Sequence, residues 1–128
     1  ITVEEVAEAA ARGFAMIINN RPEGEAPDQT AGSAIAAAAA SHAMSYAEVP
    51  IAPGGFALTQ VEALADALGA AEGPVLAYCR SGTRSTLLWS LAEASRGTAP
   101  DDIAAKAAGA GYDIRPVRQL VDMLAAGK

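Results

Sequence analysis

The chain has 128 residues, with nine Lys and Arg against fifteen Asp and Glu, and a formal net charge of −6. That length suits one domain with a real hydrophobic core, built largely from small side chains, since apolar residues reach 52% but aromatics only 5%. The acidic balance argues against nucleic acid and anionic membrane surfaces as partners, because both attract basic proteins.

In chain order, Thr2 and Glu5 have capping-box spacing, and Val3, Val6, Ala7 and Ala10 then share one face of a helix ending at Gly13. "FAMIIN" (14–19) is short and continuously apolar, as a buried parallel strand should be. Residues 20–30 read as a long polar loop, 33–43 as a helix, and 46–51 as a second strand closed by the turn "APGG" at 52–55. Thr59 and Glu62 repeat the capping-box spacing and open a helix with Val61, Leu64, Ala65 and Leu68 inward. "VLAY" (75–78) is the third strand. A helix over 86–95 closes at Gly97, and two more are predicted at 101–108 and 117–126, the last entered through Pro116.

Strand and helix alternate, so the fold class is α/β, with a central, mainly parallel sheet flanked by helices in a single domain over 1–128. Three strands make a thin sheet, and with Ile1 rather than Met at the start there is room for a further strand upstream. No apolar stretch is long enough to span a bilayer and the opening residues do not resemble a signal peptide, so the expected location is the cytoplasm. One cysteine allows no internal disulfide and supplies no resolving thiol. With a single Cys and a single His, His42, no structural zinc site has a ligand set, and neither a metal nor an organic cofactor is expected.

Chemistry concentrates in "YCRSGTRS", residues 78–85. Cys79 directly follows the third strand and precedes a helix, and in open α/β sheets ligands bind beyond the carboxyl ends of strands. Backbone N–H groups of Arg80, Ser81, Gly82 and Thr83 can curl into a nest, with Gly82 taking a conformation other residues resist. The helix dipole and the charges of Arg80 and Arg84 add positive potential. Such surroundings bring a thiol from near ~8.5 to roughly 3.5–7.5. The same cradle would hold an anion above the sulfur, with Arg84 as its bidentate clamp and Ser85 donating to the thiolate or capping the helix. A buried, inert cysteine is the competing explanation, but it needs no Gly and two Arg in the next five residues. Arg21, in the loop after the first strand, could also hold the anion. Glu23, Glu25 or Asp28 could supply a general acid, and Asn19 and Asn20 could tie that loop to the Cys79 loop.

The stretch "YCRSGTRS" resembles the active-site loop of rhodanese sulfurtransferases. It is similar also to the cysteine-dependent phosphatase loop, in which the arginine stands one position later, where this chain has Ser85. "FAMIINNRPEGE", "VPIAPGG", "VLAYCRSGTRSTLLWSLAEA" and "GAGYDI" together resemble the beta-lactamase-hydrolase-like family. The resemblance implies the fold of a dual-specificity phosphatase carrying a loop of rhodanese length. It also implies a possible persulfide dioxygenase partner domain, whose metal-binding histidines this chain lacks. Dual-specificity phosphatases carry an aspartate general acid after the strand matching 46–51. The turn here, Ala52, Pro53, Gly54 and Gly55, has none, which would slow expulsion of an alkoxide by about 10²–10⁴-fold.

The expectation is therefore a sulfurtransferase first. Cys79 would take sulfane sulfur from thiosulfate or a persulfide and pass it to an external thiol acceptor. A cysteine-dependent phosphatase acting on a phosphate ester is the alternative, and a non-catalytic anion-binding module the third.

Overall fold

The structure, a computed structural model, describes residues 1–52 and 55–127. Three four-residue strands, β1 (Met16–Asn19), β2 (Ser45–Glu48) and β3 (Val75–Tyr78), form a parallel sheet in the order β2-β1-β3. All four residues of β1 are buried, because it alone has neighbours on both sides. Successive side chains of a strand point to opposite faces, and β1 uses both. Ile17 packs with Val6 and Ala9 of α1 (Val3–Ala11) and with Ile35 and Ala39 of α2 (Gly32–Ser41). Met16 and Ile18 face the larger core. That core draws Val61 and Leu64 from α3 (Leu58–Ala70), Leu88 and Leu91 from α4 (Thr83–Ser95), and Ile103 from α5 (Pro100–Gly109). Val121 of α6 (Arg118–Ala126), entered through a 3-10 turn (Arg115–Val117), completes it. Each fully buried Ile or Leu contributes roughly 1.5–3 kcal/mol of apolar transfer.

α4 touches α3, α5 and α6, so its polar Ser90 is buried, and the hydroxyl donates back to Thr86 O at 2.8 Å. The α1 capping box forms as the sequence predicts, with Thr2 N donating to Glu5 Oε1 and Glu5 N to Thr2 Oγ1. The second predicted box does not. α3 begins one residue before Thr59, and Gln60 reaches back instead, its Oε1 accepting from Ala57 N at 2.8 Å. The second strand is shorter than 46–51 because Pro50 has no N–H to continue the ladder. Val49 and Ile51 nonetheless still donate to Asn19 O and Asn20 O. α4 starts three residues earlier than predicted, directly after Gly82.

This topology sets the site. From β1 the chain passes through α2 to one side, then through α3 to the other, so the loops after β1 and β3 meet at a topological switch point. Among the described residues, no helix is long and apolar enough to cross a membrane.

Candidate active site

Cys79 is the first residue beyond β3 and is 6% exposed. The chain must turn sharply to enter α4, and Gly82 does this at φ +90. That left-handed conformation strains any side chain, and a Cβ there would also overlap the Tyr112 hydroxyl. The turn aims Gly82 N–H at Cys79 Sγ, 3.1 Å away. Burial pushes the Cys79 thiol up, but the amide and hydroxyl of Ser85 and the amides of Ser81 and Gly82 outweigh it, leaving the thiol below its ordinary value. Loop amides, one of the three causes the sequence suggested beside the helix dipole and the two arginines, therefore carry the shift together with the Ser85 hydroxyl.

A depressed thiol should show directly. Iodoacetamide labelling followed by intact mass should have its midpoint below that of a free thiol near ~8.5; a midpoint at or above that value would contradict this geometry. The sign carries to folding. Relative to Cys79→Ser, native stability should rise as pH climbs from the depressed pKa to the free-thiol value, and be lost as pH falls back through the depressed pKa.

Arg84 lies one helical residue into the first turn and is held on two sides. One terminal nitrogen donates to Ile51 O at 2.6 Å, the other to Glu25 Oε1 at 2.8 Å, and the guanidinium also neighbours the Cys79 sulfur. Glu25 Oε1 accepts a further bond from Arg21 Nε at 3.0 Å. These side chains are 12–18% exposed, so the pairs are shielded from solvent screening more than surface pairs are. The Arg84 hydrogen bond, helped by Arg21 and opposed by desolvation, holds the Glu25 carboxyl at about 2. Glu25 is thus a fixed anion. Its loop is braced by Gln29, whose Oε1 accepts from Glu25 N and whose Nε2 donates to Pro22 O.

Asn20, fully buried, joins three loops. Its N–H donates to Tyr78 O, its carbonyl accepts from Ile51 N, Nδ2 donates to Val49 O, and Oδ1 accepts from Ser85 Oγ at 2.8 Å. Because Nδ2 is committed to Val49, Oδ1 must face Ser85. Ser85 has one proton and two acceptors, Asn20 Oδ1 and the Cys79 sulfur. Asn19 is the lesser partner: Nδ2 donates to Tyr46 Oη, which donates on to Glu48 Oε1 at 2.7 Å.

Tyr112, beyond α5, braces the loop from outside by donating to Ser81 O at 3.0 Å. Turning the Ser81 carbonyl outward is what lets the next N–H point inward at the sulfur. Tyr112→Phe should therefore raise the alkylation midpoint of Cys79 while costing only about 0.5–1.5 kcal/mol in urea unfolding. An unchanged midpoint would reduce Tyr112 to packing.

Of the residues singled out in the sequence, Cys79, Ser81, Gly82, Arg84 and Ser85 converge. Arg21 joins through Glu25. Arg80 is exposed and makes no hydrogen bond among the described residues, and the Ser81 and Thr83 hydroxyls pair with each other at 3.3 Å on the exposed side. Glu23 is bound to Gly32 N at 2.9 Å, Asp28 is exposed, and His42 is an exposed C-cap of α2. Of the acid-free turn, Pro53 and Gly54 lie outside the described residues. Among the described residues no group of three or more His, Cys, Asp or Glu could hold a metal ion. A cavity of about 640 Å³ runs along β3 and α4 past Val75, Ala77 and Trp89 and reaches Gly82 and Ser85, and Cys79 does not line it.

Residues 1–97 match the family described as beta-lactamase hydrolase-like protein, phosphatase-like domain. The beta-lactamase hydrolase-like protein of Xylella fastidiosa (strain Temecula1) is 35% identical over 112 residues, covering 87% of this chain and 26% of its own length. That of Agrobacterium fabrum is 38% identical over 88 residues, 69% of this chain and 20% of its own. The chain thus spans about a quarter of the length of the curated relatives it matches. A crystal structure named as that of a candidate phosphatase from Neisseria meningitidis Z2491 superposes with a TM-score of 0.81 at 31% identity, over 97% of this chain and 88% of that one. A second candidate phosphatase, from Shewanella putrefaciens CN-32, shares the fold with a TM-score of 0.73 at 21% identity, over 98% and 82% of the two chains.

Proposed function

The chain belongs to the family of beta-lactamase hydrolase-like phosphatase-like domains, and from that premise we propose that it is a cysteine-dependent phosphohydrolase. The observation that carries this is the inward set of loop amides, with Gly82 N–H 3.1 Å from Cys79 Sγ and Arg84 beside the sulfur. A phosphate monoester seats its three non-bridging oxygens on the amides of the 79–85 loop and on Arg84. The Cys79 thiolate attacks phosphorus in line, the S–P bond forms as the P–O bond breaks, and the alcohol oxygen leaves with the electron pair. Water then attacks the phosphocysteine, releasing inorganic phosphate and restoring the thiolate. Ser85 holds the thiolate through a hydrogen bond from its hydroxyl and turns that bond to Asn20 Oδ1 while the sulfur is esterified. Arg21 and Glu25 hold Arg84 in register.

This ordering reverses the expectation from sequence. Family membership and the structural neighbours favour the phosphatase alternative over sulfur transfer. Sulfur transfer stays as a second reading on two observations: Arg84 stands five residues after Cys79, as in rhodanese loops, and no acid stands in the turn at 52–55.

The test compares native protein with Cys79→Ser on an aryl phosphate and, separately, on thiosulfate. Phosphate release by native protein alone, with a trapped phosphoryl adduct in the intact mass, supports the phosphohydrolase. Uptake of a sulfur atom from thiosulfate, dischargeable by cyanide, without phosphate release would overturn it in favour of sulfur transfer.

A further inference from the structure

We infer that this site acts on donors whose leaving group departs as a stable anion, with no proton delivered by the protein. The inference rests on the proposed Cys79 phosphohydrolase activity and narrows its substrates.

Three loops, the ends of their strands and the segment after α5 lie around the Cys79 loop; in that last segment Asp113 is tied to Arg115 N and Nε at 2.9 and 2.7 Å. The loop after β2, residues 49–57, contains no titratable side chain at any position, described or not. The Cys79 loop contributes only cations and hydroxyls. The loop after β1 carries three carboxyl groups. Glu25 is clamped by two guanidiniums and stays ionised. Glu23 is held at the start of α2 by Gly32 N at 2.9 Å, and Glu48, the last residue of β2, accepts from Tyr46 Oη at 2.7 Å. Asp28 is exposed, and among the described residues no side-chain hydrogen bond holds it toward Cys79. The phenols at the strand ends do not serve either. Tyr46 donates to Glu48 Oε1 at 2.7 Å, Tyr78 packs against the cluster that α1 and α2 form with Ile17, and Tyr112 donates to Ser81 O.

The consequence for chemistry is direct. As the S–P bond forms and the P–O bond breaks, the electron pair leaves on oxygen and must remain there as a free anion until solvent protonates it. Alkoxides from serine-type or sugar esters are poor at this; phenoxides of acidic phenols, carboxylates and phosphate are good. The substrates indicated are acyl phosphates, phosphoanhydrides and esters of acidic phenols.

The experiment is a leaving-group series on native protein: aryl phosphates whose phenols have pKa values from roughly 4 to 10, followed by phosphate release. The double variant Glu23→Gln, Asp28→Asn is run in parallel. The expected result is a fall in kcat/KM of about tenfold for each unit rise in leaving-group pKa, identical in the double variant. A shallow dependence in native protein would overturn the inference and leave the phosphohydrolase standing. So would a double variant that slows only the poor leaving groups, since it would identify the missing acid. No Cys79-dependent release even from the most acidic phenol would overturn both.

Discussion

Arg84→Lys protein should hydrolyse an activated aryl phosphate about 10²–10³-fold more slowly than native protein, with Cys79 still alkylating at depressed pH. The two halves have different causes. The thiolate is held by the amides of Ser81, Gly82 and Ser85 and by the Ser85 hydroxyl, none of which the substitution touches. The transferring phosphoryl group, by contrast, needs a cation whose position is set in advance. Arg84 has that because its planar fork spans Ile51 O and Glu25 at once, at 2.6 and 2.8 Å, within electrostatic reach of the sulfur. A lysine is a point charge on a flexible stem and cannot make both bonds and reach the anion. Steady-state kinetics and iodoacetamide titration on the same preparation separate the two effects. A lysine variant retaining full turnover would remove Arg84 from the reaction.

Asn20→Ala should be the most destabilising single change near the site, by about 3 kcal/mol in urea unfolding. The Val49 carbonyl loses its bond from Asn20 Nδ2 in a buried setting, at a cost of roughly 1–3 kcal/mol. A small cavity adds to that. Ser85 is not orphaned, because its hydroxyl can turn fully to the sulfur. The variant should therefore keep a low alkylation midpoint despite its lower stability. Asn20→Asp gives the opposite sign. It retains an acceptor for Ser85 but brings a negative charge into a fully buried position near the thiolate, so the midpoint should rise. If Ala and Asp shift the midpoint in the same direction, the shared Ser85 proton is not the link between Asn20 and Cys79.

These tests also show what was legible beforehand. Alternation of short apolar runs with helix-period segments is enough for a parallel sheet, and a Cys at a strand end with Gly and Arg after it is enough for an anion loop. Cap positions were less readable. Thr59 and Glu62 satisfy the pattern, yet Gln60 won because its side chain also donates to Pro50 O at 2.9 Å, a contact from ten residues away. Glu25 resembled a solvated charge or a stand-in acid, since its value depends on Arg84, 59 residues later. Asn20 could be suspected but not assigned, because two of its four bonds go to the loop after β2 and two to residues flanking the Cys79 loop, Tyr78 and Ser85. Tyr112 lies in a stretch that carries the family resemblance, but nothing local ties it to Cys79; only packing of the segment after α5 onto Gly82 brings it to the loop.

The long sequence separations across the site bear on how the protein folds. The Gly82 amide reaches Cys79 across three residues, but Ser85 meets Asn20 across 65 and Tyr112 meets Ser81 across 31, so the braces of the loop cannot be set by a local turn alone. Loop-closure entropy must be met before such contacts return any energy, which places them late in assembly. During refolding at mildly acidic pH, Cys79 should stay inert to alkylation while helices form and become reactive only in the slowest phase. The nucleophile is then its own timer, reporting when the last crossover has docked.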